Sequence, residues 1–96
     1  MKKLWVDDVR APFFQAEKWD IAKSYNEAIQ LLFKNSYDVI SLAHDLGEGQ
    51  NGMDILKWMY NNSIWPKTIH VHSANPVAAE RMQAFIDDVE KELNLV

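Results

Sequence analysis

Three polar pairs carry most of the chemistry this chain could perform. Asp7-Asp8, His44-Asp45 and His72-Ser73 each follow a short apolar run, where a buried strand would turn into a loop. Carboxylates brought within several ångströms repel one another unless a cation stands between them. Asp7, Asp8 and Asp45 together would offer the oxygen ligands that Mg²⁺ or Mn²⁺ prefers. The alternative is that Asp7 and Asp8 are solvated loop residues and Asp45 caps the following turn. His44 and His72 each lie one residue inside the terminal Asp45 or Ser73. Neighbouring parallel strands lie about 4.8 Å apart, so strands ending at equal heights would hold the two imidazoles side by side on one face. Such a pair could serve as general acid and general base. Otherwise one of them packs under a helix with its ring nitrogens satisfied. His70, two residues deeper, reads as a core residue.

Other groups fall close by in sequence. Residues 47–52 contain Gly47, Gly49 and Gly52, which would let backbone amides approach a ligand ahead of a helix N-terminus that favours anions. A mobile connection needing positive φ explains the same glycines, and the lysine and spacing of a P-loop are missing. Ser73 and Asn75 offer a hydroxyl and an amide before a further helix start. Arg10 and Arg81 could hold a phosphate through two parallel hydrogen bonds, although surface ion pairing explains arginines equally well.

These groups need a scaffold that gathers strand ends. Residues 3–6 read as a first strand, 9–19 as a loop or one ragged helical turn around Pro12, and 20–24 as a second strand. Ser24 and Glu27 match a capping box opening a helix that continues to about residue 35. Residues 38–44 form the strongest strand, 52–62 a helix, and 68–72 a strand after Pro66. Asn75-Pro76 is an N-cap followed by proline at the first helical position, opening an amphipathic helix over 76–93. The order β-loop-β-α-β-α-β-α predicts an α/β fold with a small doubly wound parallel sheet of about four strands, covered on both faces. In such sheets ligands bind outside the carboxyl ends of the strands, where all three polar pairs fall.

The chain's 96 residues make one domain with one modest core. A formal charge of −4 excludes a general duplex nucleic-acid binder, which needs a basic footprint. No cysteine is present, which removes disulfides, thiolate catalysis and cysteine zinc sites. The apolar run after Met1 is too short for a signal peptide, and no stretch approaches a membrane span. The expected setting is the cytoplasm.

The acidic pair after strand one, Asp45 after a buried strand and Ser73 after the next resemble the receiver (flavodoxin-like) domain of two-component signalling. In receivers the acidic pair and the middle aspartate hold Mg²⁺, that aspartate accepts phosphate, and the Ser/Thr contacts the phosphoryl group. The sequence lacks the fifth strand with its lysine, and the segment between the first two strands is short for a full helix. Because phosphoryl switching relies on that lysine, ordinary response regulation is not the leading expectation. DDVR at 7–10, HDLGEG at 44–49 and HSANP at 72–76 give a closer resemblance, to the small, often phage- or bacteria-encoded cyclic-phosphate-processing receiver-like domains.

That resemblance implies a metal-dependent phosphoesterase acting on a cyclic phosphate or cyclic nucleotide. Asp7, Asp8 and Asp45 would hold Mg²⁺ or Mn²⁺, and His44 and His72 would exchange protons with water and the leaving alkoxide. Ser73, Asn75 and the amides around Gly47 and Gly49 would steady charge, with Arg10 and Arg81 neutralising the phosphate. Two alternatives use the same residues: capture of a nucleotide signal without turnover, as a phage counter-defence protein would do, and a degenerate receiver phosphorylated on Asp45. Phe13, Phe14 and Trp65, if exposed, could form a partner or homodimer patch.

Overall fold

Four short strands and three helices alternate along the chain, in a computed structural model that describes residues 1–47 and 49–93. Strands β1 (Lys3–Val6), β2 (Trp19–Ala22), β3 (Val39–Leu42) and β4 (Thr68–Val71) form one parallel sheet in the order β2-β1-β3-β4. Helices α1 (Tyr25–Lys34), α2 (Gly52–Asn61) and α3 (Pro76–Glu92) follow β2, β3 and β4. Between β1 and β2 there is only a short 3-10 turn at Ala16–Lys18. The strand order reverses direction once, at β1, as in a doubly wound sheet.

The caps explain where the helices begin. Ser24 Oγ accepts from the Glu27 amide at 3.1 Å, as the sequence predicts. Glu27 returns the bond to the amide of Lys23 at 3.4 Å, so the reciprocal half of the box is displaced by one residue. Asn75 Oδ1 accepts from the amides of Val77 and Ala78, with Pro76 at the first helical position. At α2 a full reciprocal box forms between Asn51 and Asp54.

The expectation that helices cover both faces of the sheet is not met. Helix α1 packs on β2 and against α2, α2 packs against α3, and α3 packs on β4, so the three form a single layer. Handedness accounts for this. The crossovers from β2 to β3 and from β3 to β4 run in the same direction across the sheet, and right-handed connections then lie on the same face. Leu4, Val6, Ile40, Leu42 and Ile69 meet Ala28, Leu32, Ile55, Leu56, Met59 and Met82 in that core. Only the β1–β2 connection belongs on the other face, and it carries no α-helix. That face presents Trp5, Trp19, Ile21 and His70, of which Ile21 and His70 are exposed. His70 is therefore not a core residue. Trp65 is half-buried, with its indole N–H donating to Glu90, whereas Phe13 and Phe14 stand in solvent.

Candidate functional site

Asp7 is the first residue beyond β1 and is almost fully buried, at 4% exposure. Its Oδ1 accepts from the amides of Val9 and Arg10, each at 2.9 Å, which folds the following loop back on itself. Its Oδ2 accepts from His72 Nε2 at 3.0 Å. Because a carboxylate only accepts, Nε2 carries the proton and Nδ1 takes the hydroxyl of Ser41, 2.7 Å away. Burial pushes the Asp7 carboxyl up, but the amides of Arg10 and Val9 and the His72 ring more than reverse it, so it lies below its ordinary value. Burial also dominates at His72: it holds the imidazole below its ordinary value against the pull of Asp7, with Arg10 adding to the lowering.

The register corrects the expected histidine pair. Leu42 lies beside Val71, so one step further Ala43 lies beside His72 and His44 beside Ser73. The two imidazoles are thus offset by one residue and turn to opposite sides of the sheet. His72 stacks on Trp5 on the uncovered face, with ring centroids 3.9 Å apart and planes 9° from parallel. His44, 24% exposed, instead accompanies Asp45 at the strand edge, with Nδ1 3.0 Å from Asp45 Oδ1. His44 Nε2 has no protein partner among the described residues.

Helix α2 fixes the backbone beneath His44. The Gly52 amide donates to the His44 carbonyl at 2.8 Å. A Cβ at Gly52 would collide with the Ala43 carbonyl oxygen, so only glycine permits this approach.

His44 walls two adjoining clefts. The first, of about 230 Å³, gathers Asp7, Asp8, Arg10, His44, Asp45 and Ser73. The second, of about 340 Å³, continues past His44 to Asn51, Lys57, Asn75 and Arg81. Most of the residues expected at the site therefore do converge. His72 does not line either cleft, and Gly47 and Gly49 lie outside both linings. Those two glycines hold φ of 83° and 86°, which explains their identity by backbone conformation. Glu48 between them lies outside the described residues. A larger cleft of about 450 Å³ at the opposite end of the sheet, beside Tyr60, Trp65 and Leu93, has none of these groups.

The expected cluster of three carboxylates around a metal ion is not assembled: among the described residues no group of three or more His, Cys, Asp or Glu is placed to hold one. Asp7 is largely committed elsewhere: its Oδ1 accepts two amides and its Oδ2 accepts from His72. Asp8 and Asp45 remain, both exposed and both lining the first cleft. Two carboxylates with open water around them fit a hydrated Mg²⁺ or Mn²⁺.

Sequence reading missed Ser41, Trp5 and Lys57. Ser41 had a signal, as the one hydroxyl inside the apolar run of β3. Trp5 and Lys57 had none, since an aromatic in a strand and a lysine on a helix are ordinary.

A four-stranded parallel sheet with an acidic residue after β1, His-Asp after β3 and a serine after β4 is a receiver-like domain. Residues 2–88 match the profile of the cyclic-phosphate processing receiver domain, and the chain belongs to that family. No curated protein and no solved structure gives a significant match.

Proposed function

We propose that the strand edge hydrolyses a cyclic phosphate, with His44 as the proton-transfer residue. The observation that carries this reading is the His44 ring itself. Asp45 holds Nδ1, and the ring walls a cleft that also contains Asp8, Arg10 and Ser73.

Asp45 accepts the Nδ1 proton and so leaves Nε2 as the basic nitrogen facing the ligand. A water attacking phosphorus forms one P–O bond while the ring ester P–O bond breaks. His44 Nε2 takes the water's proton. In-line attack puts the entering and leaving oxygens on opposite sides of phosphorus, so one imidazole serves the water and the leaving alkoxide takes its proton from solvent in the open cleft. Arg10, whose side chain is 60% exposed and stands 4.0 Å from Asp7, neutralises the phosphate from the loop that Asp7 folds. Ser73 lines the same cleft, and Asn75, Lys57 and Arg81 line the adjoining one, where the two basic side chains extend the positive rim past His44. Asp8 and Asp45 would hold Mg²⁺ or Mn²⁺, which would lower the charge on a non-bridging oxygen when bound.

Purified protein with Mg²⁺ or Mn²⁺ is to be incubated with 2′,3′-cyclic, 3′,5′-cyclic and cyclic dinucleotides, and the products read by mass spectrometry. A linear product that disappears in His44→Ala supports hydrolysis. Intact ligand retained on the protein supports capture instead, a reading favoured by the offset register, which leaves one imidazole where two were expected. Neither product nor retained ligand removes both readings for those compounds.

A further inference from the structure

A further cleft opens on the uncovered face of the sheet, beside the site but not part of it. Its volume is about 330 Å³ and its lining is Trp5, Arg10, Ala11, Phe13 and His72. Three of the five are flat rings, and Phe13 is fully exposed, at 102%. An isolated phenylalanine in water needs no explanation, but one lining an aromatic cleft marks a surface with something to bind. Arg10 lines both this cleft and the phosphate cleft.

The cleft is also held in shape before any ligand arrives. Trp5 and His72 are stacked, and the Trp5 indole N–H donates to the Arg10 carbonyl at 2.8 Å. His72 is fixed from both ring nitrogens by Asp7 and Ser41. These contacts immobilise Trp5 and His72, so a ligand laid against that stack orders little of it that was free.

Resting on the cyclic-phosphate reading, we infer that this cleft is a nucleobase site, and that the ligand is a nucleotide and not a cyclic phosphate of a plain sugar or polyol. The base lies between Phe13 and the Trp5–His72 stack, while Arg10 spans the sugar and meets the phosphate in the adjoining cleft. Aromatic residues on an exposed sheet face are a common means of stacking bases. The negative overall charge suits one short nucleotide and not a polynucleotide track.

The test is calorimetric titration of wild type and Phe13→Ala with adenosine 2′,3′-cyclic phosphate, methyl riboside 2′,3′-cyclic phosphate and adenosine. Phe13 is fully solvent-exposed, so its removal leaves the fold intact. Wild type is expected to bind the nucleotide at least about tenfold more tightly than the base-free analogue, and Phe13→Ala to erase most of that ratio. Equal affinity for the two cyclic phosphates, or a ratio unchanged in Phe13→Ala, overturns the inference. Turnover measured in parallel separates it from the hydrolysis reading. Phe13-dependent binding without product upholds the base site and removes hydrolysis. Hydrolysis of both cyclic phosphates at the same kcat/KM upholds hydrolysis and removes the base site. No binding of any of the three compounds removes the base site outright.

Discussion

At the scale of single residues, the two histidines that look alike in sequence have different work. His44 leaves one ring nitrogen without a protein partner among the described residues, whereas His72 spends both on Ser41 and Asp7. Their alanine variants should therefore separate. His44→Ala is expected to lower kcat by about 10²–10⁴-fold, the usual contribution of general acid–base catalysis. Its melting temperature should barely move, because the side chain is near the surface and holds only the exposed Asp45. Asp45→Asn should also lower kcat, because an amide carries no charge to stabilise the protonated ring and can turn its NH2 to Nδ1, which would put the ring proton on Nε2. His72→Ala should do the reverse in stability. It strips a partner from the buried Asp7 carboxylate and the buried Ser41 hydroxyl, a loss on the order of 2–3 kcal/mol. Denaturant unfolding beside single-turnover kinetics reads both quantities. A His44→Ala variant with full turnover would remove it from the chemistry.

At the scale of elements, the junction of β3 and α2 sets where His44 stands. Gly52→Ala puts a methyl against the Ala43 carbonyl oxygen and the Met82 side chain, which the helix can relieve only by backing off the strand end. The expected loss is about 1–3 kcal/mol by overpacking. Because Gly52 also donates to the His44 carbonyl, kcat should fall along with stability, whereas Asn75→Ala should cost about 1 kcal/mol of helix capping. Thermal unfolding and turnover of the two variants check this; a Gly52→Ala protein as stable as wild type would show that α2 has room to shift. The same junctions show which parts of the fold can be read in a sequence. Ser24 and Asn75-Pro76 announce helix starts because the capping atoms are local, and the apolar runs announce the strands. Register is not local. Parallel strands are joined through helices that absorb an offset, so nothing between residues 44 and 72 declares that Ala43, and not His44, lies beside His72. That single step moves an imidazole to the other face. The bare face of the sheet was hidden for a related reason, since it follows from strand order and handedness together.

At the scale of the whole molecule, one hydrogen-bonded chain fastens the carboxyl edge of the sheet. Ser41 within β3, His72 just beyond β4 and Asp7 just beyond β1 are linked through a single imidazole, on the face that no helix of the described residues covers. In the clasp a neutral His72 accepts from Ser41 and donates to Asp7, and a further proton would put a charge on a ring whose burial disfavours it, which makes the fold sensitive to acid. The folded value of His72 lies below its ordinary 6.5, with burial the leading cause. As pH falls below about 6.5, the unfolded chain therefore takes up a proton that the folded chain refuses. Stability is full above that value and declines as pH drops from it toward the lowered folded value. Asp7 adds a second decline in stronger acid, because its own lowered value means that its stabilisation is lost only as pH falls through it. Melting temperatures from pH 8 to pH 4 should accordingly begin to fall in the histidine range, before the carboxylates titrate. His72→Gln keeps a donor and an acceptor but cannot titrate. Its profile should stay flat through the histidine range from a lower starting point, leaving only the acid limb. A wild-type profile that is flat until the carboxylate range would show that the imidazole takes up its proton equally in the folded and unfolded states, and would remove the predicted acid sensitivity of the clasp.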